Sequence, residues 1–209
     1  MEPAAIAIFV FVIVSSLTFH EAAHAVVATA CGDDLAKSQG RVTLNPLSHI
    51  DLFGTVILPI MMFLLAGFGF GYAKPVPFQP ENFRHPRRDT VLVAMAGPAA
   101  NVILAAVFLV IGLALARIFG GAGHLPELVL QFFWVAIMVN CILVIFNMIP
   151  LPPLDGHYIL DLFLSERARE VVRQLGIFGI LIAWWLSRPL FQATLPPIEK
   201  FLRHAFGAV

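Results

Sequence analysis

The chain has 209 residues, of which 59% are hydrophobic and 12% charged, with zero formal net charge and a mean hydropathy of +0.88; soluble domains carry about a quarter charged residues. That balance excludes water as its main solvent, and without a basic tract it excludes the electrostatic footprint of a nucleic-acid binder. Cys31 and Cys141 lie in or beside apolar runs with no CxxC pair, so they read as small packing hydrophobes with no disulfide.

A bilayer core of roughly 30 Å takes about 20 apolar residues as helix. The first run of that length is Ala4 to Cys31. It follows Met1-Glu2-Pro3, which has no basic residue, and continues past Ala30, so it reads as a mature span and not as a signal peptide. Gly40 to Asp51 (GRVTLNPLSHID) has the turn-bounded pattern of a short β-hairpin. Leu52 to Tyr72 is a second apolar run, and Lys74 to Asp89 a proline-rich basic loop. Val91 to Phe119 and Leu128 to Ile149 are further runs, and a weaker one extends from about Val172 to Leu195, interrupted by Arg188. These elements predict an all-α, polytopic transmembrane helix bundle with a short membrane-associated β-hairpin. It is expected as a single integral membrane domain over 1–209, with a core at 4–165 and a C-terminal membrane segment at about 172–209.

Lys and Arg accumulate in short cytoplasmic loops. Lys37, Arg41, Lys74, Arg84, Arg87 and Arg88 lie between the first and third runs, Arg167, Arg169 and Arg173 after the fourth, and Arg117 alone between third and fourth. Residues 32–90 and 165–173 are therefore expected on the cytoplasmic face. Leu52 to Tyr72 then starts and ends on one side and reads as re-entrant, with Pro59 and the Gly67, Gly69, Gly71 series as helix breakers. A full crossing is the alternative.

Inside the first run stands His20-Glu21-Ala22-Ala23-His24. Two histidines four apart share a helix face and can meet one metal, while the glutamate points beside it, where a water would bind. Ionisable residues in a membrane helix cost roughly 2.5–3.5 kcal/mol each, so an unemployed cluster there would be a heavy burden. A catalytic zinc usually takes three protein ligands plus water. The candidate for the third is Asp155, which ends Asn147-Met148-Ile149-Pro150-Leu151-Pro152-Pro153-Leu154-Asp155-Gly156. Alone, that segment reads as a helix stop and turn. With the histidines, and with charge counting that makes the first and fourth runs parallel, His20, His24 and Asp155 fall at one depth near the cytoplasmic face.

Taken together, these motifs resemble those of the site-2 protease family of intramembrane metalloproteases, in which HExxH in one span is paired with an Asn…Pro…Asp-Gly segment in a later one. Gly97-Pro98-Ala99-Ala100-Asn101 resembles the family's GPxxN element, and Gly40 to Thr55 the segment after HExxH in compact bacterial members. The resemblance covers roughly residues 15–160. It implies one Zn2+ per chain held by His20, His24 and Asp155, Glu21 activating water, and Asn147 holding the substrate backbone or the oxyanion. It places Asn101 in a supporting role, against a bland reading of Asn101 as a helix-packing amide; Asn45 and His49 of the expected hairpin are further substrate-binding or supporting candidates, and His49 and Asp51 there could approach the metal. His157, close to Asp155, reads as interfacial or as a competing ligand.

The expected function is hydrolysis of peptide bonds in or near transmembrane segments of membrane-protein substrates, at the cell membrane, with the active site toward the cytoplasm. A substrate must be extended to be cut, and Gly40 to Asp51 is expected to pair with it as an added strand. The alternative is a non-enzymatic membrane metal binder or transporter, which would have no use for Glu21. Zinc proteases of other membrane families need a downstream glutamate ligand, for which Glu127, Glu166 and Glu170 are poorly placed.

Overall fold

A computed structural model describes residues 2–51, 54, 57, 73–176 and 178–206. Among these, seven α-helices are joined by turns and short 3-10 segments: α1 Pro3–Cys31, α2 Leu35–Ser38, α3 Pro86–Ile118, α4 Glu127–Asn147, α5 Gly156–Leu160, α6 Glu166–Arg173 and α7 Phe178–Ala205. Helices α1, α3 and α4 are long and apolar enough to cross a membrane, and α6 with α7, bent by 90° between them, pass the same test only together. At 1.5 Å per residue the 21 residues of α4 reach about 32 Å, close to the thickness of a hydrocarbon core. The chain divides into two compact units, Met1–Ser16 with Pro98–Val209, and Leu17–Gly97.

The larger unit is built on α4 and α7. Phe133 and Ile137 of α4 are buried with Ala116, Leu125, Leu202 and Phe206, while Val12, Ala136 and Val139 form a second cluster. Arg203 stacks over the Trp134 ring at 5.5 Å. Helix α6 is tied down by its arginines: Arg169 Nε donates to Asp161 O at 2.7 Å and Arg173 pairs with the Asp161 carboxylate at 3.0 Å.

The smaller unit is organised by two buried charges. Asp33 follows α1 and is fully buried; its carboxylate accepts from Leu35 N, Asn82 Nδ2 and Gln79 N at 3.1, 2.9 and 2.6 Å. Burial pushes this carboxyl up, but the hydrogen bonds from Asn82, Gln79 and Leu35 outweigh that and hold it below the usual carboxylate range. Arg41 is also buried. Its guanidinium donates to the carbonyls of Ser48 and Lys74, and to Pro75 O at 2.9 Å. Burial pulls the guanidinium below its ordinary value while the Glu21 carboxylate pushes it back up.

The expected β-hairpin at 40–51 is not found: these residues carry no strand, and Pro46–Ser48 is a 3-10 turn. Three local features defeat the ladder. Pro46 has no N–H to give, the Asn45 side chain caps Leu47 N at 3.1 Å, and Arg41 occupies a carbonyl that a partner strand would need. A preformed edge for an added substrate strand is therefore lacking at 40–51. Whether Leu52 to Tyr72 is re-entrant or a full span lies outside the described residues. The third run begins earlier than expected, at Pro86, because Pro is well suited to the first helical turn. The weak last run becomes two helices, and α7 retains Pro189, Pro196 and Pro197 inside it.

Candidate metal centre

His20, Glu21 and His24 lie on the continuous helix α1 and all three are buried. The two imidazoles meet edge to face with centroids 4.7 Å apart, and their Nε2 atoms are 3.1 Å apart. His24 Nδ1 lies 2.7 Å from Val93 O. A carbonyl can only accept, so Nδ1 carries the proton and Nε2 presents its lone pair, the tautomer of a metal-binding histidine oriented by a backbone carbonyl.

This pair suits zinc. Two nitrogens at about 2.0–2.1 Å from a tetrahedral ion are about 3.3 Å apart, and the observed 3.1 Å is close to that. Gly97 of α3 leaves room for the rings: a Cβ there would stand 2.3 Å from His24 Nε2 and 2.5 Å from His20 Nε2. Only glycine lets the α3 backbone approach so near.

In the larger unit, α4 ends at Asn147 and the prolines after it carry the chain through turns to α5. Asp155 is half-buried at the N-terminus of α5, where its side chain makes no capping bond. Gly156 is required here by crowding. A Cβ at this position would meet Met148 O at 2.5 Å and Ile149 O at 2.6 Å. His157 is buried and its Nδ1 lies 2.6 Å from Leu154 O, which orients the ring on its own turn. Asn147 Nδ2 donates to Leu143 O at 3.0 Å, which engages one of its two N–H bonds.

His20 and His24 belong to the smaller unit and Asp155 to the larger. The remaining sequence candidates bond within their own units. Asn45 is exposed and caps its turn. His49 is buried with Nε2 2.9 Å from Thr43 O. Asn101 is fully buried, and its Nδ2 donates to Asn140 Oδ1 at 2.8 Å and reaches Ser16 O at 3.4 Å. Sequence reasoning missed Ser16, Asn140 and Arg41. The signal for Asn140 was a lone amide inside an apolar run, which in a membrane helix asks for a partner.

The chain matches the description "Peptidase family M50" over residues 8–128 and 117–183. It is 38% identical over 180 residues to the candidate zinc metalloprotease YwhC of Bacillus subtilis, covering 83% of this chain and 76% of that protein. It is 29% identical over 184 residues to the candidate zinc metalloprotease Rip2 of Mycolicibacterium smegmatis, covering 85% and 66%. Rip3 of Mycobacterium tuberculosis, also named as a candidate zinc metalloprotease, is 29% identical over 161 residues, covering 77% of this chain and 32% of that protein. No solved structure matches the chain.

Proposed function

Since the chain belongs to peptidase family M50 and is an intramembrane zinc metalloprotease, we propose that His20, His24 and Asp155 are its zinc ligands, Glu21 its general base and Asn147 its oxyanion donor. The observation that carries the assignment is the converging pair of histidine nitrogens, 3.1 Å apart on a helix apolar enough to span a bilayer. A carboxylate third ligand completes the donor set of two imidazoles and one acid that catalytic zinc takes. The family match crosses both compact units, which supports one protease domain.

Zinc, when bound, supplies the Lewis acidity that brings a water's pKa down to about 7. Glu21, next to His20 in sequence and buried, takes the water's proton and later returns it to the leaving amine. Val93 O fixes the His24 tautomer. Asn147 offers a carboxamide N–H to the oxygen of the scissile carbonyl as charge gathers there. The substrates are membrane-embedded segments of other proteins, cut where their helix is unwound, as in regulated intramembrane proteolysis. A passive metal carrier would leave Glu21 without a task, and the family match does not favour it.

The test is Asp155→Ala in the purified, lipid-reconstituted protein. Activity on a transmembrane-segment substrate should vanish and bound zinc should fall, because two histidines leave the ion under-coordinated; full zinc occupancy would remove Asp155 from the ligand set. We place the site toward the cytoplasmic face of the cell membrane, from the Lys and Arg bias of 32–90 and 165–173. Cysteines introduced at Arg88 and Ser165 should react only with reagent that reaches the cytoplasm, and the opposite labelling would invert the topology.

A further inference from the structure

Three pairings recur at a constant step along α1 and α3. His24 bonds Val93 O, the rings of His20 and His24 face Gly97, and Asn101 reaches Ser16 O. On α1 the sequence 24, 20, 16 descends in fours while on α3 the sequence 93, 97, 101 ascends in fours, so one face of each antiparallel helix supplies every rung. The lowest rung is extended by Asn140 of α4, which is fully buried. Its Oδ1 accepts from Asn101 Nδ2 at 2.8 Å, and its Nδ2 donates to Ser16 Oγ at 2.9 Å and to Ala136 O at 2.8 Å.

We propose that Asn140, acting with Ser16 and Asn101, is a positioning device that sets the rotation of α1 one helical turn from His20, and thereby sets how the two histidines present their nitrogens to zinc. The inference rests on the assignment of His20 and His24 as ligands. Apolar contact cannot do this job. Residues 4–14 of α1 (AAIAIFVFVIV) are apolar all the way round the helix, so burial barely distinguishes one rotation from the next, and each residue of slippage turns a helix by about 100°. A hydroxyl and two carboxamides do distinguish rotations, because in an interior without water an amide turned away from its partners is left unsatisfied. The three side chains exchange donors and acceptors in only one rotation of α1.

The test compares Asn140→Ala and Ser16→Ala with Val139→Ala, a buried apolar truncation on the same helix, in the full-length protein in detergent. Three quantities are read: the zinc Kd by chelator competition, the visible spectrum of the cobalt-substituted protein, and the thermal midpoint of metal-free protein. The two polar variants should weaken zinc by about tenfold or more, as loss of outer support does, and shift the cobalt bands. Val139→Ala should lower only the midpoint. Wild-type cobalt spectra and zinc Kd in the polar variants, with a lowered midpoint, would show a packing role only and overturn the inference. If Asn140→Ala does not fold, Ser16→Ala decides, since it removes only the one hydroxyl that accepts from Asn140 Nδ2. A His20→Ala control separates the two claims: wild-type zinc affinity there would sink the ligand assignment, whatever Asn140 does.

Discussion

Gly97→Ala places one methyl group against both histidines and offers a sharp quantitative test. The added Cβ would lie 2.3 Å from His24 Nε2, where ordinary contact begins at 3.4 Å, so the shortfall is 3.4 − 2.3 = 1.1 Å. The α3 backbone cannot absorb it alone, because Val93 O, one turn away, holds His24 Nδ1 at 2.7 Å. The rings must therefore retreat by about 1 Å, while a metal site tolerates about 0.2 Å in its bond lengths. Overpacking of this size commonly costs about 1–3 kcal/mol of stability. The sharper effect falls on zinc, whose affinity should drop about 100-fold, with peptide hydrolysis lost in proportion. Chelator competition measures the first and cleavage of a fluorogenic transmembrane-segment substrate the second. A variant that binds zinc like the wild type would refute the claim that the histidine nitrogens crowd Gly97.

Glu21→Gln and Asn147→Ala should both retain zinc and lose turnover. The first should lose it by orders of magnitude because the amide cannot accept a proton, and the second by about 100-fold, the worth of one oxyanion donor. If Asn147→Ala sheds metal or melts early, its bond to Leu143 O is its whole role. Asp33→Asn probes the acid limb of stability. A carboxyl held below its unfolded value of about 3.9 contributes stability above that pH and loses it as pH falls through the folded value. The asparagine variant should be less stable at neutral pH and should unfold with a shallower slope below about pH 4, as read from thermal midpoints across pH. An unchanged acid slope would show that the Asp33 bonds contribute nothing.

The apolar runs that became α1, α3 and α4 were legible because lipid requires a simple code of length and apolarity. The HEAAH string was legible for the opposite reason, since ionisable groups stand out against such a background. Segment 40–51 misled because alternation and turn residues describe a hairpin equally well when a distant cation is going to take the carbonyls. Nothing in the local pattern says that Arg41 will reach Lys74 and Pro75. Asn140 was passed over because a single amide gives no periodicity, and its partners Ser16 and Asn101 are 124 and 39 residues away in the chain. The requirement for Gly156 was legible as a residue choice but not as a cause, which is the carbonyl oxygens of Met148 and Ile149.

Lys74 N donates to His49 O at 2.8 Å, and Arg41 binds carbonyls on both sides of that junction. His49 and Lys74, 25 positions apart in the chain, are thus fastened together at one neck. For a chain pinned at both ends, the entropy of closure grows only with the logarithm of its length, about 0.6 kcal/mol for a doubling. Once Arg41 has closed the neck, residues added between its ends do little to loosen the unit that carries His20, Glu21 and His24. In energetic terms the length of chain between His49 and Lys74 is nearly a free variable for the stability of the neck that joins them.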